Sequence, residues 1–396
     1  MPESYPQTIT KVTGYSFAVD RDGLYRIAVA ARCRSGKQSG ERGGEDLRVE
    51  IDGIKLREIP PKDKPQYYDI PSAWNGTELK GLSKTVTIIL RLNKGAHILV
   101  FVPRPRATIE REPLIELLND RRHAAFDLNE KAEEGDRRSW HTIALVGLPL
   151  RSMSVEVTAE WRVRDSDDVK LIIDGEIKKN PFSILHRNWT WSGSILKKIF
   201  GKERQEKTFD EDLRSGDHYL EFWADRAPTL HRVALDLGES GGTRAPTADD
   251  PRWTGDFHDD SDQIILARAI FGEARDVRLS DKARIGVGWS IRNRVEDSRW
   301  AHDYHGVVTQ AGQYSAFNLE DQKNRPMIED PFRKNNLVDR EAWFNCYKIA
   351  GQIIEGTVSD PTHGSDHYYD DSINPPYWAT NDSFVIKIDA LIFHKL

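Results

Sequence analysis

The stretch Ala267-Arg268-Ala269-Ile270-Phe271-Gly272-Glu273-Ala274-Arg275 places a carboxylate at the close of an apolar run. From Ser261 onwards apolar residues recur with the period of an α-helix, and Ser261 itself is a suitable N-cap. One stripe of this helix runs through Ile265 and Ala269, and Glu273 extends it. We therefore expect Glu273 to point inward or into a groove, and not out to bulk water.

This position predicts one of two roles for Glu273. A carboxylic acid in a partly apolar setting has a raised pKa and keeps its proton near neutral pH. Such a group can protonate the leaving oxygen of a glycosidic bond. Alternatively, Glu273 forms an ordinary ion pair with Arg268 or Arg275. This segment alone leaves both interpretations open.

The composition indicates a folded protein of several domains. The chain has 396 residues, of which 38% are hydrophobic and 30% are charged, with a net charge of −6. Such a small net charge argues against a general nucleic-acid or membrane-surface binder. The two cysteines, Cys33 and Cys346, are far apart in sequence, and we expect two buried thiols and neither a disulfide framework nor a zinc site. No apolar stretch approaches the length of a membrane-spanning helix.

The first 235 residues or so have the alternation and turn residues of short β-strands. An internal repeat within them predicts two tandem all-β sandwiches of jelly-roll type, at 1–120 and 130–238, the second a repeat of the first. The matching segments are Asp46–Gly53 with Asp168–Gly175, Trp74–Gly76 with Trp191–Gly193, and Gly95–Phe101 with Gly216–Phe222.

Two further segments of this region have more than one interpretation. The tryptophans of Trp189-Thr190-Trp191 could stack on a sugar ring or could fill the core of the sandwich, and the core is favoured. Residues 239–261 are rich in Gly, Pro, Ser and Asp and predict a linker. At its end, His258, Asp259, Asp260 and Asp262 could bind a cation, but a solvated charge run is favoured.

The C-terminal region, 262–396, is predicted to contain further helices. Ser280 is the expected N-cap of a helix over Asp281–Val295, and Asp339 that of a helix over Arg340–Glu355. Between them, 306–318 is a polar loop of amides, hydroxyls and aromatics, which suits a hydroxyl-rich ligand. His363 and His367 could form a metal site, but the Gly and Ser between them favour a sugar groove with His367 and Tyr368 in its wall.

Five motifs occur in order over residues 262–396, and together they resemble the SleB-type cell wall hydrolase family, which includes spore cortex-lytic enzymes. They are Ala-Arg-x-Ile-Phe-Gly-Glu-Ala-Arg (267–275), Ser-Ile-Arg-Asn-Arg-Val (290–295), Val-Val-x-Gln-x-x-Gln-Tyr-Ser (307–315), His-Tyr-Tyr (367–369) and Pro-x-Trp-Ala (376–379). The chain departs from the family pattern after Arg275, where it has Asp276-Val277-Arg278, and in its last strand, Asp389–His394, where the family histidine is replaced and the apolar pattern is kept.

The resemblance implies a lysozyme-like α+β domain that cleaves peptidoglycan between N-acetylmuramic acid and N-acetylglucosamine. The family glutamate corresponds to Glu273. In a lytic transglycosylase one carboxyl protonates the leaving oxygen and then accepts the proton of the muramic acid C6 hydroxyl, which gives a 1,6-anhydro product. The residues expected to bind the glycan are Arg275, Gln310, Gln313, Tyr314, Ser315, His367, Tyr368 and Trp378.

These inferences combine into an expected peptidoglycan-degrading enzyme with two targeting modules and no cofactor or metal. The alternatives are a glycan-binding or structural component that does not cut, and a conventional muramidase in which Asp303 or Glu320 activates water.

The expected partner is the peptidoglycan glycan strand, without nucleic acid or membrane insertion. The sequence has no signal peptide at its start, so we expect synthesis in the cytoplasm and delivery to the wall by lysis, by non-classical export, or by a phage-like or injection particle to which the β-modules dock.

Overall fold

A computed structural model describes residues 4–59, 70–118, 120, 122–180, 187–238 and 244–396. By its internal contacts the chain divides into two compact units. The β-rich unit comprises residues 1–53 and 58–244, and the C-terminal unit comprises residues 54–57 and 245–396. Both cysteines are free and buried, as the sequence predicted.

The first half of the β-rich unit contains nine strands and two short helices among its described residues. In chain order these are β1 (Gln7–Ile9), β2 (Thr13–Val19), β3 (Gly23–Arg32), α1 (Gly36–Ser39), β4 (Asp46–Ile51), β5 (Trp74–Asn75), α2 (Gly76–Leu79), β6 (Ser83–Leu92), β7 (Gly95–Arg104), β8 (Ala107–Ile109) and β9 (Leu114–Leu118).

The second half continues with the same kinds of element. They are β10 (His123–Lys131), β11 (Arg138–Leu145), β12 (Leu150–Thr158), β13 (Asp168–Ile173), β14 (Glu176–Ile177), β15 (Trp191–Ser192), α3 (Ile195–Ile199), β16 (Arg204–Leu213), β17 (His218–Asp225) and β18 (Thr229–Asp236).

Strand pairing repeats between the two halves. The first half contains the neighbour orders β2-β7-β4-β5 and β1-β8-β3-β6, and the second half contains β11-β17-β13-β15 and β10-β18-β12-β16. Eight of the nine strands of the first half thus have a counterpart with equivalent partners, and β9, which pairs with β3, has none. The region is built from several β-sheets, as expected, whereas the boundaries of the two sandwiches stay predictions.

A junction that the sequence does not indicate joins the two halves. Strand β6 pairs in parallel with β11, from Thr85 opposite His141 to Ile89 opposite Leu145. One ten-stranded sheet therefore contains strands of both halves. The physical reason is that β6 and β11 are buried along nearly their whole length, so each needs a neighbour on both sides.

A turn with the same side-chain contacts closes β4 and β13. Asp52 and Asp174 have positive φ values of 50° and 46°, and each precedes a glycine that also has positive φ. In both turns the carboxylate contacts Nδ1 of a histidine on the neighbouring strand, His97 or His218, at 2.6 Å. The Asp-Gly pairs of the sequence repeat therefore have the same structural role.

The tryptophans of the repeat lie mainly in the interior. Trp74 and Trp191 are fully buried, which bears out the core interpretation for Trp191. Trp189 is half-buried, and the ammonium of Lys170 lies 5.0 Å from the centre of its ring.

The C-terminal unit is helical with a small antiparallel sheet, which fits the expected α+β class. Its helices are α4 (Asp262–Ala274), α5 (Asp281–Glu296), α6 (Tyr304–Thr309), α7 (Arg325–Glu329) and α8 (Leu337–Ile354), with single 3-10 turns at Phe257–Asp259 and Ser315–Phe317. Its strands are β19 (His367–Asp370), β20 (Phe384–Ile388) and β21 (Leu391–His394), in the order β19-β21-β20. Among the described residues, no helix is both long enough and apolar enough to cross a membrane.

Helix α4 is the centre of this unit and is buried on nearly all sides. Ser261 and Ser280 cap α4 and α5 as predicted. The start of α8 differs, because its N-cap is Asn336 and not Asp339. Leu337 and Val338, in the first turn of α8, are exposed and lie off the buried stripe that begins at Trp343, so that stripe does not mark the start of the helix.

The end of the predicted linker differs most from expectation. Of residues 239–261, positions 239–243 lie outside the described residues, and from Ala245 onwards the chain groups with the C-terminal unit. The solvated charge run is wrong, because Asp259, Asp260 and Asp262 are all buried. The physical reason is that each carboxylate has a partner: the Arg268 guanidinium donates to both oxygens of Asp260 at 2.7 and 3.0 Å, the Thr254 hydroxyl donates to Asp259 at 2.7 Å, and Arg57 lies 3.5 Å from Asp262.

Candidate active site

A cleft of about 670 Å³ lies in the C-terminal unit, at the C-terminal end of α4. Its wall includes Glu273 and Arg275, and Ser315 and Asn324 from the segment between α6 and α7. Asp370, the last residue of β19, also lines it. The cleft therefore collects the end of the central helix, an irregular polar segment and the edge of the small sheet around one glutamate.

Gly272 allows the polar segment to approach α4 closely. A Cβ atom at this position would lie 2.7 Å from the Cβ of Ala316 and 3.0 Å from Ile328, closer than packed side chains normally approach. Only glycine therefore fits without a shift. The Gly-Glu pair of the sequence brings the segment around Ser315 against the glutamate.

Glu273 is half-buried and has few polar contacts. Its Oε2 accepts a hydrogen bond of 3.3 Å from the Tyr368 hydroxyl, whereas its Oε1 is buried without a hydrogen-bond partner among the described residues. No arginine or lysine of the described residues forms an ion pair with it. Arg268 pairs with Asp260, and Arg275 donates to Gly272 O and Asn324 Oδ1. The structure thus does not contain the ion pair that the sequence left open.

Burial is the main cause that raises the pKa of Glu273. The hydrogen bond from the Tyr368 hydroxyl and a contact with the backbone of Ala316 stabilise the charged form and oppose this shift, as does the charge of Arg275. The nearby carboxylate of Asp321 adds to the shift. Glu273 also occupies the last turn of α4, where the partial negative charge of the helix end disfavours an anion. The protonated form is therefore favoured to a higher pH than for an exposed glutamate.

Alternation along β19 positions Tyr368. Successive side chains of a strand point to opposite faces, so Tyr368 and Asp370 share one face and His367 and Tyr369 share the other. The first face meets Glu273 and the cleft. Burial raises the pKa of Tyr368 well above its usual value, so this phenol stays protonated and acts as a hydrogen-bond donor to Glu273.

His367 and Trp378 lie outside the cleft wall. They pack together with ring centres 5.1 Å apart, and Trp378 also contacts Tyr369 and His394. The Nδ1 of His367 contacts Asp366 at 2.9 Å. These two predicted glycan-binding residues therefore belong to an aromatic cluster on the other face of the small sheet.

The predicted residues of the polar segment divide into two groups. Ser315 lines the cleft, and Tyr314 is buried, with burial and nearby Glu273 among the causes that raise its pKa. Gln313 is exposed and accepts from Arg294 at 2.9 Å, and Gln310 is exposed at the end of α6. Neither glutamine is part of the cleft wall.

Three contributors to the site were missed from the sequence. Asn324 receives a hydrogen bond of 2.8 Å from Arg275 and donates one of 2.9 Å to Asp321, whose carboxylate also interacts with Ser315. Asp321 and Asn324 thus hold Arg275 and Ser315 beside Glu273. Asp370 could have been found, because it lies two residues after Tyr368 in the same strand.

The acidic residues considered for water activation have other surroundings. The Asp303 carboxylate caps α6 by accepting from Gly306 N at 2.5 Å, and Glu320 is exposed and outside the cleft wall. Of the cleft aspartates, Asp276 is bound by Arg278 and Asp371 by Lys387. Within the part of the chain that the structure describes, no group of three or more His, Cys, Asp or Glu is arranged to hold a metal ion.

Comparison with solved structures finds similarity to two SleB catalytic domains. That of Bacillus cereus SleB is 20% identical, covers 34% of this chain and 89% of that chain, and has a TM-score of 0.25. The catalytic domain of the germination-specific lytic transglycosylase SleB from Bacillus anthracis is 19% identical, with 34% and 93% covered and a TM-score of 0.25. An insecticidal delta-endotoxin, Cry8Ea1 from Bacillus thuringiensis, is 8% identical, with 55% and 53% covered and a TM-score of 0.17.

No curated protein matches the chain. A family model described as Cell Wall Hydrolase matches residues 280–394, a range that begins just after Glu273 and includes β19 and the polar segment. This match supports a cell wall hydrolase-type domain in the C-terminal part of the chain and confirms the resemblance predicted from its motifs.

Proposed function

We propose that the protein is a lytic transglycosylase that cleaves peptidoglycan between N-acetylmuramic acid and N-acetylglucosamine, with Glu273 as its catalytic acid and base. The observation that carries this proposal is the state of Glu273. It is a half-buried carboxyl in the wall of a polar cleft, its pKa is raised, and it forms no ion pair with an arginine or lysine of the described residues. A group of this kind is suited to donating a proton near neutral pH.

The reaction needs one carboxyl and no water. Glu273 donates its proton to the glycosidic oxygen as the bond from that oxygen to C1 of the muramic acid breaks. The C6 hydroxyl of the same sugar then attacks C1, and Glu273 accepts its proton. The products are a 1,6-anhydromuramic acid end and a free N-acetylglucosamine hydroxyl, and Glu273 is protonated again.

Neighbouring groups support both steps. The Tyr368 hydroxyl, 3.3 Å from Oε2, stabilises the carboxylate that exists between the two proton transfers. Arg275 and Ser315 supply hydrogen-bond donors in the cleft wall, where the glycan would lie. Gln310, Gln313, His367 and Trp378 are candidates only for parts of a longer glycan beyond the cleft wall.

We further propose that the β-rich unit consists of two jelly-roll sandwiches that hold the enzyme at its substrate or at a delivery particle. The repeat of strand pairing between its two halves supports a duplicated module. Delivery to the wall by lysis, by a particle or by non-classical export is part of this proposal.

Hydrolysis by a second carboxylate is the alternative that the cleft aspartates Asp370 and Asp389 keep open. In that reaction a water molecule attacks C1, and the product has a reducing end. A binding protein without activity is the other alternative, and it would release nothing.

Mass spectrometry of the soluble products from purified peptidoglycan separates these functions. We expect anhydromuropeptides from the wild-type protein and none from Glu273→Gln. Reducing-end muropeptides would contradict the lytic mechanism. Sedimentation of the protein with peptidoglycan, without any release, would contradict an enzyme altogether.

A further inference from the structure

A second pocket, of about 520 Å³, lies in the β-rich unit where its two halves meet. We call it the junction pocket. It is lined by strands β3, β6 and β9 of the first half and by β10 of the second, and its wall includes Arg26, Thr85, Arg111, Leu114, Leu128 and Glu130. Its volume lies within the range of roughly 300–1,000 Å³ that small-molecule sites occupy.

Strand alternation explains why this end of the interior is polar. On β3, Leu24 and Arg26 point to the same face, and on β6 so do Ile89 and Thr85. Leu24 and Ile89 belong to the apolar core together with Phe126 of β10. Further along the same face, Arg26 and Thr85 replace apolar core residues. The pocket lies here, between the ten-stranded sheet and β10.

Arg26 is a buried cation with an unused donor. Only 8% of the residue is exposed, its Nη1 donates to Glu116 at 3.2 Å, and its guanidinium lies 4.5 Å from the centre of the Phe126 ring. Its Nε is buried without a hydrogen-bond partner among the described residues. Because an unpaired buried donor is costly, this N–H is expected to have a partner in the functional state.

Glu130 supplies a fixed acceptor on the opposite wall. Its Oε2 contacts Nδ1 of His141 at 3.0 Å, and Nε2 of His141 lies 3.2 Å from the Thr87 hydroxyl. Burial would raise the pKa of Glu130, but the contacts with His141 and Thr85 outweigh it and lower the pKa. Glu130 is therefore ionised.

The Thr87–His141–Glu130 chain has the order of a catalytic triad but not its access. Both Thr87 and His141 are fully buried, so no substrate reaches the Thr87 hydroxyl. The chain serves instead to orient Glu130 as a hydrogen-bond acceptor.

We propose that the junction pocket binds a saccharide. Hydroxyl groups both donate and accept hydrogen bonds, so they complement a wall with guanidinium donors, Arg26 and Arg111, and carboxylate acceptors, Glu112 and Glu130. Leu114 and Leu128 offer apolar surface for the C–H face of a sugar ring. The wall contains two arginines and two glutamates, and Arg26 is also paired with Glu116, so no excess of positive charge favours a phosphate or a free carboxylate over a neutral ligand.

This inference is independent of the proposed catalytic function, because the two sites share no residue. The saccharide could be the N-acetylated glycan of peptidoglycan, for which chitotetraose is the probe, or an unrelated glucan, for which maltotetraose is the probe. Full-length Glu273→Gln protein is used so that no ligand is cleaved during the measurement.

The test combines calorimetric titration with hydrogen-exchange mass spectrometry. We expect one of the two saccharides to bind and to protect amides of β3 and β10. Binding at the catalytic cleft would protect α4 and β19 instead, so the two sites are read separately. Protection confined to the cleft, or none with either saccharide, would overturn the proposal even if wild-type protein releases glycan from peptidoglycan.

Arg111→Ala, a change at an exposed position, is expected to weaken binding at the junction pocket roughly tenfold or more. Arg232→Ala, an exposed arginine of β18 outside the pocket wall, is the matched control and should bind as the parent does. Leu128→Trp, which fills the pocket, should abolish the protection of β3. Unchanged binding in both pocket variants would also overturn the proposal.

Discussion

Two charged side chains of helix α4 have opposite surroundings, the fully buried Arg268 and the half-buried Glu273. Arg268 is fully buried, yet it donates to both oxygens of Asp260 and to the carbonyl of Ile328. Glu273, little more than one turn further along, has a long hydrogen bond from Tyr368 and a backbone contact from Ala316, and it forms no ion pair among the described residues. The same helix thus contains one charge that is fully compensated and one that is not.

The difference indicates which side chain serves the fold and which serves function. A buried charge normally persists in a protein only when it is paired and hydrogen-bonded. Arg268 meets that condition and joins α4 to the segment before it. Glu273 does not meet it, and a perturbed carboxyl in the wall of a cleft is the usual state of a catalytic acid.

The largest expected effect on stability is that of Arg268→Leu. This change leaves Asp260 as an uncompensated buried anion, which costs about 3–5 kcal/mol. Hydrogen exchange of the α4 amides measures the local free energy of unfolding without requiring both units to unfold together.

Arg278→Leu is the matched control, because Arg278 is exposed and pairs with exposed Asp276. It should change the free energy of unfolding by no more than about 0.5 kcal/mol. If Arg268→Leu and Arg278→Leu lowered the free energy of unfolding equally, the buried Arg268–Asp260 pair would contribute no more to stability than an exposed pair.

Glu273→Gln should have a smaller effect on stability, and at neutral pH it should not lower it. The glutamine has the same shape and removes the charge that burial disfavours. Because the pKa of Glu273 is raised by burial, the folded state binds more protons than the unfolded state above the usual glutamate range. The contribution of Glu273 to stability is therefore present at low pH and lost as the pH rises through its raised pKa.

The free energy of unfolding, measured for both proteins across this pH range, tests that expectation. Wild-type protein should lose stability relative to Glu273→Gln as the pH rises. A wild-type protein that gains stability relative to the variant would indicate a cationic partner for Glu273 and would remove the contrast with Arg268.

Tyr368→Phe should have only a small effect on the free energy of unfolding. It removes one hydrogen bond of 3.3 Å, worth about 1–2 kcal/mol at most. Because this bond favours the charged form of Glu273, its loss should raise the pKa further and move the alkaline limb of the pH–rate profile upward. Tyr369→Phe, on the opposite face of β19, should leave the profile unchanged.

Local patterns in the sequence predicted the elements around Glu273. The Ser261 cap and the apolar stripe placed Glu273 on an inward face, and the ordered motifs identified the family. The buried state of Asp260 could not be read from Asp259-Asp260-Ser261-Asp262, because such a run is normally solvated. It depends on Arg268, whose side chain reaches back across two turns of the chain.

Long-range placement accounts for the other differences. Nothing in β6 or β11 indicates that the two would pair in parallel and join the repeats, because strand partners far apart in sequence leave no local pattern. His367 shares a motif with Tyr368, but strand alternation puts it on the opposite face, where Trp378 packs against it. The contribution of Asn324 and Asp321 depends on contacts with Arg275 and Ser315 that spacing does not reveal.

The most direct test of the account is the rate at which Glu273→Gln releases soluble glycan from peptidoglycan, relative to the wild-type protein. Loss of a general acid predicts a rate at least about 100-fold lower, with the α4 amides still protected from exchange. Glu320→Gln, an exposed glutamate outside the cleft wall, should keep the wild-type rate. A Glu273→Gln protein that releases glycan within a few-fold of the wild-type rate would contradict the role of Glu273 as the catalytic acid.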